Sequence, residues 1–242
     1  MDNRRGKYIG LNQRIPIEVL DVAIHGYLEK GFLDKEYIFQ QVQKFTPGEN
    51  RAHKVLKYIT QIIVQQRYFL DMFRKIVVNT PYFSFNKENR KAFCLCMISL
   101  TYPIMYDTLI FLAQGLKVQN YISKKFINQK VMSIYGSNRT VDIAIDALIP
   151  MLIELGTINR FKVGIYTSGL TLTITDKFIY ELVIYTDIKL SGSKSMLLED
   201  MTSKPLYVYF DISSMSVDYF HFLIARQDSA PGISYLTILP PL

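Results

Sequence analysis

The segment Ala92–Ala113 is a 22-residue, nearly all-apolar run, and it limits the chain to two architectures. A run of that length either crosses a bilayer or fills the middle of a large core. Pro103 and Asp107 lie inside it and no second span of comparable length accompanies it. A carboxylate near the centre of a span costs about 2.5–3.5 kcal/mol on insertion scales. The run therefore reads as two buried helices interrupted at Tyr102-Pro103, and no membrane span is expected. With hydrophobic residues at 49% of 242, the chain has ample material for the core such helices need.

Around this centre the pattern is mainly helical. Ile15-Pro16 opens a helix over Ile17–Leu28 that Gly31 ends, and a shorter helix runs from Asp34 to Phe45. Thr46-Pro47-Gly48-Glu49-Asn50 is a turn. Ala52, Val55, Leu56, Ile59, Ile62 and Ile63 then recur on one helical face, predicting a long helix from Arg51 to Val78. Ser84 or Asn86 caps a helix to Leu100, and the pattern resumes from Ile104 to Val118. A second helix pair follows, Lys124–Ile134 and Thr140–Leu155, stopped by Gly156 and kinked at Pro150. The runs Arg160–Thr167 and Leu170–Thr175, joined at Ser168-Gly169, read as a hairpin of the kind a winged helix carries. Phe178–Lys189 fits helix or strand equally, and Val217–Ala225 is undecided. Leu206–Ile212 and Tyr235–Leu239 suggest strands. The fold class is thus mainly α with winged-helix and helix-turn-helix-like units and a smaller α+β C-terminal part. Its divisions are expected at 1–80, 81–190 and 191–242.

Catalytic chemistry finds little support. His25, His53, His221, Cys94 and Cys96 do not form a four-ligand zinc set, and the cysteines read as buried thiols of a reduced, cytoplasmic protein. Met1–Arg14 has no apolar core, so no signal peptide is expected. Neither glycine-rich phosphate loop occurs, nor a G-x-S-x-G elbow. Asp176, Glu181, Asp187 and Lys189 are the nearest approach to a metal-dependent nuclease set, but their spacing matches no nuclease signature. No enzyme activity and no cofactor are expected.

Charge is more informative. Met1–Arg139 holds 21 Lys+Arg against 10 Asp+Glu, while Thr140–Leu242 holds 7 against 11, within a net charge of +7. A basic part joined to an acidic one suits a polyanion-binding module attached to a segment with another task. Within the basic part, Arg51, Lys54, Lys57, Tyr58, Gln61 and Gln65 share the polar face of the long helix. Cations there suit phosphates, and the Tyr and Gln side chains suit phosphates or base edges. In the second pair, Asp142 and Asp146 on the later helix would repel phosphates, but its flanks carry Lys124, Lys125, Lys130, Asn138, Arg139, Arg160 and Lys162.

Asn50-Arg51-Ala52-His53-Lys54-Val55-Leu56-Lys57 is one of three stretches that carry a family resemblance. The others are Glu88-Asn89-Arg90-Lys91-Ala92-Phe93 leading to Leu100-Thr101-Tyr102-Pro103, and Ser137-Asn138-Arg139 through Glu154-Leu155-Gly156-Thr157-Ile158. In pattern and order the chain resembles the BrxA family of bacterial BREX phage-defence systems over Ile17 to Thr175. The resemblance implies a mainly helical, non-catalytic protein that binds double-stranded DNA alongside other components of a phage-defence complex. Ser191–Leu242 has no counterpart in that pattern. An adaptor that binds proteins only is the alternative, motivated by the acidic later helix.

Overall fold

A computed structural model describes residues 9–76, 82–216, 220–230 and 233–240. The chain is mainly helical, with a smaller strand-containing C-terminal part. Helix α1 (Ile17–Lys30) ends at Gly31, whose φ of 77° lets its N–H reach the Tyr27 carbonyl. Helix α2 (Lys35–Phe45) is capped by Asp34, which accepts from the Tyr37 N–H at 3.1 Å. The expected long helix is two: α3 (Glu49–Gln65) and α4 (Arg67–Ile76), while Val77 and Val78 lie outside the described residues. The break falls at Gln66, with φ −101° and ψ 18°. Its buried side-chain amide donates to Thr101 Oγ1 at 3.0 Å, a partner on a distant helix that periodicity does not record. The bend lets α4 lay Phe69, Leu70 and Phe73 into the core.

The apolar run folds as two buried helices. Between helix α5 (Lys87–Thr101) and helix α6 (Pro103–Leu116) the path bends by 115°, with Tyr102 wholly buried at the corner. Asp107 is buried but not orphaned, since it accepts from the Tyr135 hydroxyl at 2.7 Å. No single helix among the described residues is long and apolar enough to cross a membrane.

Strand β1 (Ile122–Ser123) precedes helix α7 (Lys124–Tyr135), capped by Ser123, and helix α8 (Arg139–Leu155), capped by Asn138 and continuous through Pro150. Strands β2 (Ile158–Lys162) and β3 (Ile165–Ser168) follow, and the three form an antiparallel sheet in the order β1-β3-β2. The hairpin turn is at Val163-Gly164, not at Ser168-Gly169 as the sequence suggests. Gly164, at φ 74°, meets the turn's backbone requirement. Gly169 is small for another reason: a Cβ there would lie 1.9 Å from the Gly156 carbonyl oxygen and 2.6 Å from the Thr157 carbonyl carbon. These are backbone atoms just past the end of α8, so nothing soft can give way. Gly169→Ala is expected to cost about 3 kcal/mol in denaturant unfolding. A loss below about 0.5 kcal/mol would show that the approach is not tight.

Beyond Gly169, strand β4 (Leu172–Thr173) pairs in parallel with strand β6 (Phe210–Asp211). Between them run helix α9 (Lys177–Ser191), strand β5 (Ser195–Leu197) and two 3-10 turns, Leu198–Thr202 and Pro205–Tyr209. The second turn replaces most of the strand expected over Leu206–Ile212. Strands β7 (Ile224–Ala230) and β8 (Ile233–Ile238) complete an antiparallel sheet in the order β5-β8-β7. Of the undecided stretch, Val217–Tyr219 lie outside the described residues and β7 begins at Ile224. The ambiguous Phe178–Lys189 run is helical, and most of its side chains are buried on every side. A helix surrounded by protein has no polar stripe to betray its period. One hydrophobic cluster runs from Leu11 through α5, α6 and α9 to Leu236, joining the three expected divisions.

Candidate nucleic-acid interface

Helix α3 presents Arg51, Lys54 and Lys57 to solvent at intervals of three residues, and Gln65 is exposed further along. The opposite face is anchored by Ala52, Val55, Ile59 and Ile62, all completely buried. The cations therefore stand on a rigid support. Two expected members of the stripe turn inward. Tyr58 is buried, its hydroxyl donating to Asn12 Oδ1 and its ring edge-on to Tyr102 at 5.9 Å. Gln61 is half-buried and accepts from the Tyr102 hydroxyl at 3.2 Å. Both belong to the seam between α3 and the α5–α6 corner, so Tyr58 in particular has no surface to offer a base.

The start of the second helix pair comes near this seam. Thr140, in the first turn of α8, lines one cavity of about 320 Å³ with Lys57, Tyr58 and Gln61, and the segment Ile9–Asn12 forms the rest of its wall. Exposed Asn138 and Arg139 immediately precede Thr140. Asn138 also spends its side-chain oxygen on the Val141 N–H at 3.2 Å, fixing the helix start. The chain thus brings Lys57, the last of the three α3 cations, to a cavity wall shared with the first turn of α8, the positive end of that helix. Sequence spacing gives no hint of this, because about 80 residues separate the two groups.

The remaining candidates gather elsewhere. Lys124 is half-buried and ion-paired with Asp146, and Asn128 donates to Asp142. Of the two carboxylates expected to repel phosphates, Asp146 is therefore partly neutralised by Lys124, while Asp142 is hydrogen-bonded to a neutral amide and keeps its charge. Lys125 and Lys130 are exposed on α7, and Arg160 and Lys162 on β2. The Lys124 N–H donates to the Gly164 carbonyl at 2.8 Å, so the start of α7 abuts the hairpin turn. There Tyr121 and Phe161 lie 4.6 Å apart, and both are exposed, as is Val163.

The acidic residues of α9 do not converge. Asp176 caps the helix, accepting from the Ile179 N–H at 2.9 Å, and burial pushes its carboxyl above the usual range. Glu181 is fully buried under the backbone of 221–224, whereas Asp187 accepts from the Tyr106 hydroxyl at 2.8 Å and pairs with Lys204. Lys189 is exposed. No group of three or more His, Cys, Asp or Glu among the described residues is arranged to hold a metal ion. Cys94 and Cys96 are both buried and unbridged, and burial pushes the Cys96 thiol up to about 12.

Comparison with protein-family models, with curated proteins and with solved structures gives no match.

Proposed function

We propose that this chain is a non-catalytic, cytoplasmic protein that binds duplex DNA along its phosphate backbone, as an accessory component of a phage-defence system. The observation that most supports the DNA reading is the cavity wall shared by Lys57, Gln61 and Thr140, which sets one of the three α3 cations near the amino-terminal end of α8. In this reading α2–α3 is a helix-turn-helix unit with α3 against the duplex. The segment α7–α8–β2–β3, with β1 beside β3, is a winged helix whose hairpin carries Arg160 and Lys162. Backbone contacts dominate, because Tyr58 and Gln61 are turned inward and leave few groups for reading base edges. The defence role rests on the resemblance to the BrxA family.

Titrating a duplex of arbitrary sequence at several salt concentrations tests the reading. Six phosphate contacts give a log-log slope of about −5, with affinity varying little between sequences. A slope near zero, or no binding at low salt, would sink it. The exposed Tyr121, Phe161 and Val163 favour the second reading, a protein-only adaptor that uses the hairpin as its contact. Co-purification of partner proteins without any duplex affinity would select it.

A further inference from the structure

A cavity of about 590 Å³ lies between the first turns of α1 and α5. That volume is in the range of small-ligand sites, about 300–1,000 Å³. Glu154 is on its wall, 14 residues along α8 from Thr140, so about 21 Å of helix separates the cavity from the proposed DNA surface.

Most charges around the cavity are already matched. Asp21 accepts from the Tyr82 hydroxyl at 2.8 Å and from the Arg90 guanidinium at 2.6 Å, and burial holds its carboxyl above the usual range. Glu154 accepts from the Ile17 N–H at 2.9 Å and pairs with Arg14. Glu18 is exposed at the edge.

Lys87 and Lys91 differ. They lie one turn apart at the start of α5, both line the cavity, and neither has a hydrogen-bond or ion-pair partner among the described residues. Two cations at i and i+4 repel, and the amino-terminal end of a helix disfavours both. Lys91 is held below the usual lysine range by partial burial and then by the charge of Lys87, with the charge of Glu88 offsetting part of the effect. Glu88, the carboxylate in that turn, is committed to the Thr173 N–H at 2.9 Å. Two further features define the cavity. The Phe45 and Phe83 rings line it yet remain 44% and 47% exposed, leaving apolar surface at its mouth.

We propose that this cavity binds a nucleoside phosphate, with the phosphate held by Lys87 and Lys91 and the base against Phe45. An anion between the two ammonium groups relieves their repulsion and is favoured by the positive end of α5. A flat ring removes the exposed Phe45 face from water. Phe83 is the less available ring, since it already stacks on His25 at 3.9 Å and lies under Arg90 at 4.8 Å.

The test is calorimetric titration of the full chain with ATP, AMP and inorganic phosphate. ATP and AMP are expected to saturate below about 1 mM, with inorganic phosphate weaker. Lys87→Gln with Lys91→Gln should weaken ATP at least tenfold, and Phe45→Ala should weaken AMP while leaving phosphate unchanged. Glutamate at Arg51, Lys54 and Lys57 should leave ATP binding intact, which separates this site from the DNA reading. Absence of saturable ATP binding overturns the proposal. So does a double lysine variant that loses duplex affinity but not ATP affinity, since the lysines would then belong to a DNA-facing surface.

Discussion

Replacing Arg51, Lys54 and Lys57 together by glutamate is expected to weaken duplex binding several-hundred-fold near 0.1 M salt. Each phosphate contact contributes a slope of about 0.9, or nearly tenfold at that concentration, and three contacts are lost before any added repulsion. The salt slope should fall from about −5 to about −2.5. All three side chains are exposed and none has an ion-pair partner among the described residues, so the unfolding midpoint should barely move. Unchanged affinity in a folded variant would remove α3 from the interface. Lys124→Gln is the internal control: because Lys124 is engaged with Asp146, its loss should cost severalfold at most.

Glu181→Ala is expected to destabilise the fold by about 3–5 kcal/mol, the largest effect of any single side chain described above. The Glu181 carboxylate, fully buried in the middle of α9, accepts from the backbone N–H groups of His221, Phe222, Leu223 and Ile224 at 2.6–3.0 Å. Four backbone donors, those of Leu223 and Ile224 buried, lose their acceptor at once, and strand β7, which begins at the last of them, loses its tether to the helical body. Amide exchange should rise first at residues 221–224, then through β7 and β8. If unfolding free energy falls by less than about 1 kcal/mol, water or another acceptor is taking over those N–H groups.

Where secondary structure was legible, it was because a local group decided it. Pro16, Asp34, Asn86, Asn138, Gly31 and Gly156 mark helix ends by satisfying or freeing nearby backbone groups, and all six stand at helix termini. The Tyr102-Pro103 break has the same origin, since proline cannot continue the hydrogen-bond ladder of α5. Failures came where the deciding partner was distant. The bend at Gln66 depends on Thr101, and Gly169 is small because Gly156 lies against it, not because a turn occurs there. The period of α9 was hidden because protein surrounds it on all sides.

The candidate interface divides along the same line. By itself the sequence determined which segment is basic and that Arg51, Lys54 and Lys57 share a helical face, because charge and a 3.6-residue period are local properties. Tertiary structure alone decided that Tyr58 faces inward, that Lys124 is engaged with Asp146, and that α8 starts beside Lys57. Each of those outcomes depends on which helices pack together, and packing is fixed by burial of the whole apolar core around α5, α6 and α9.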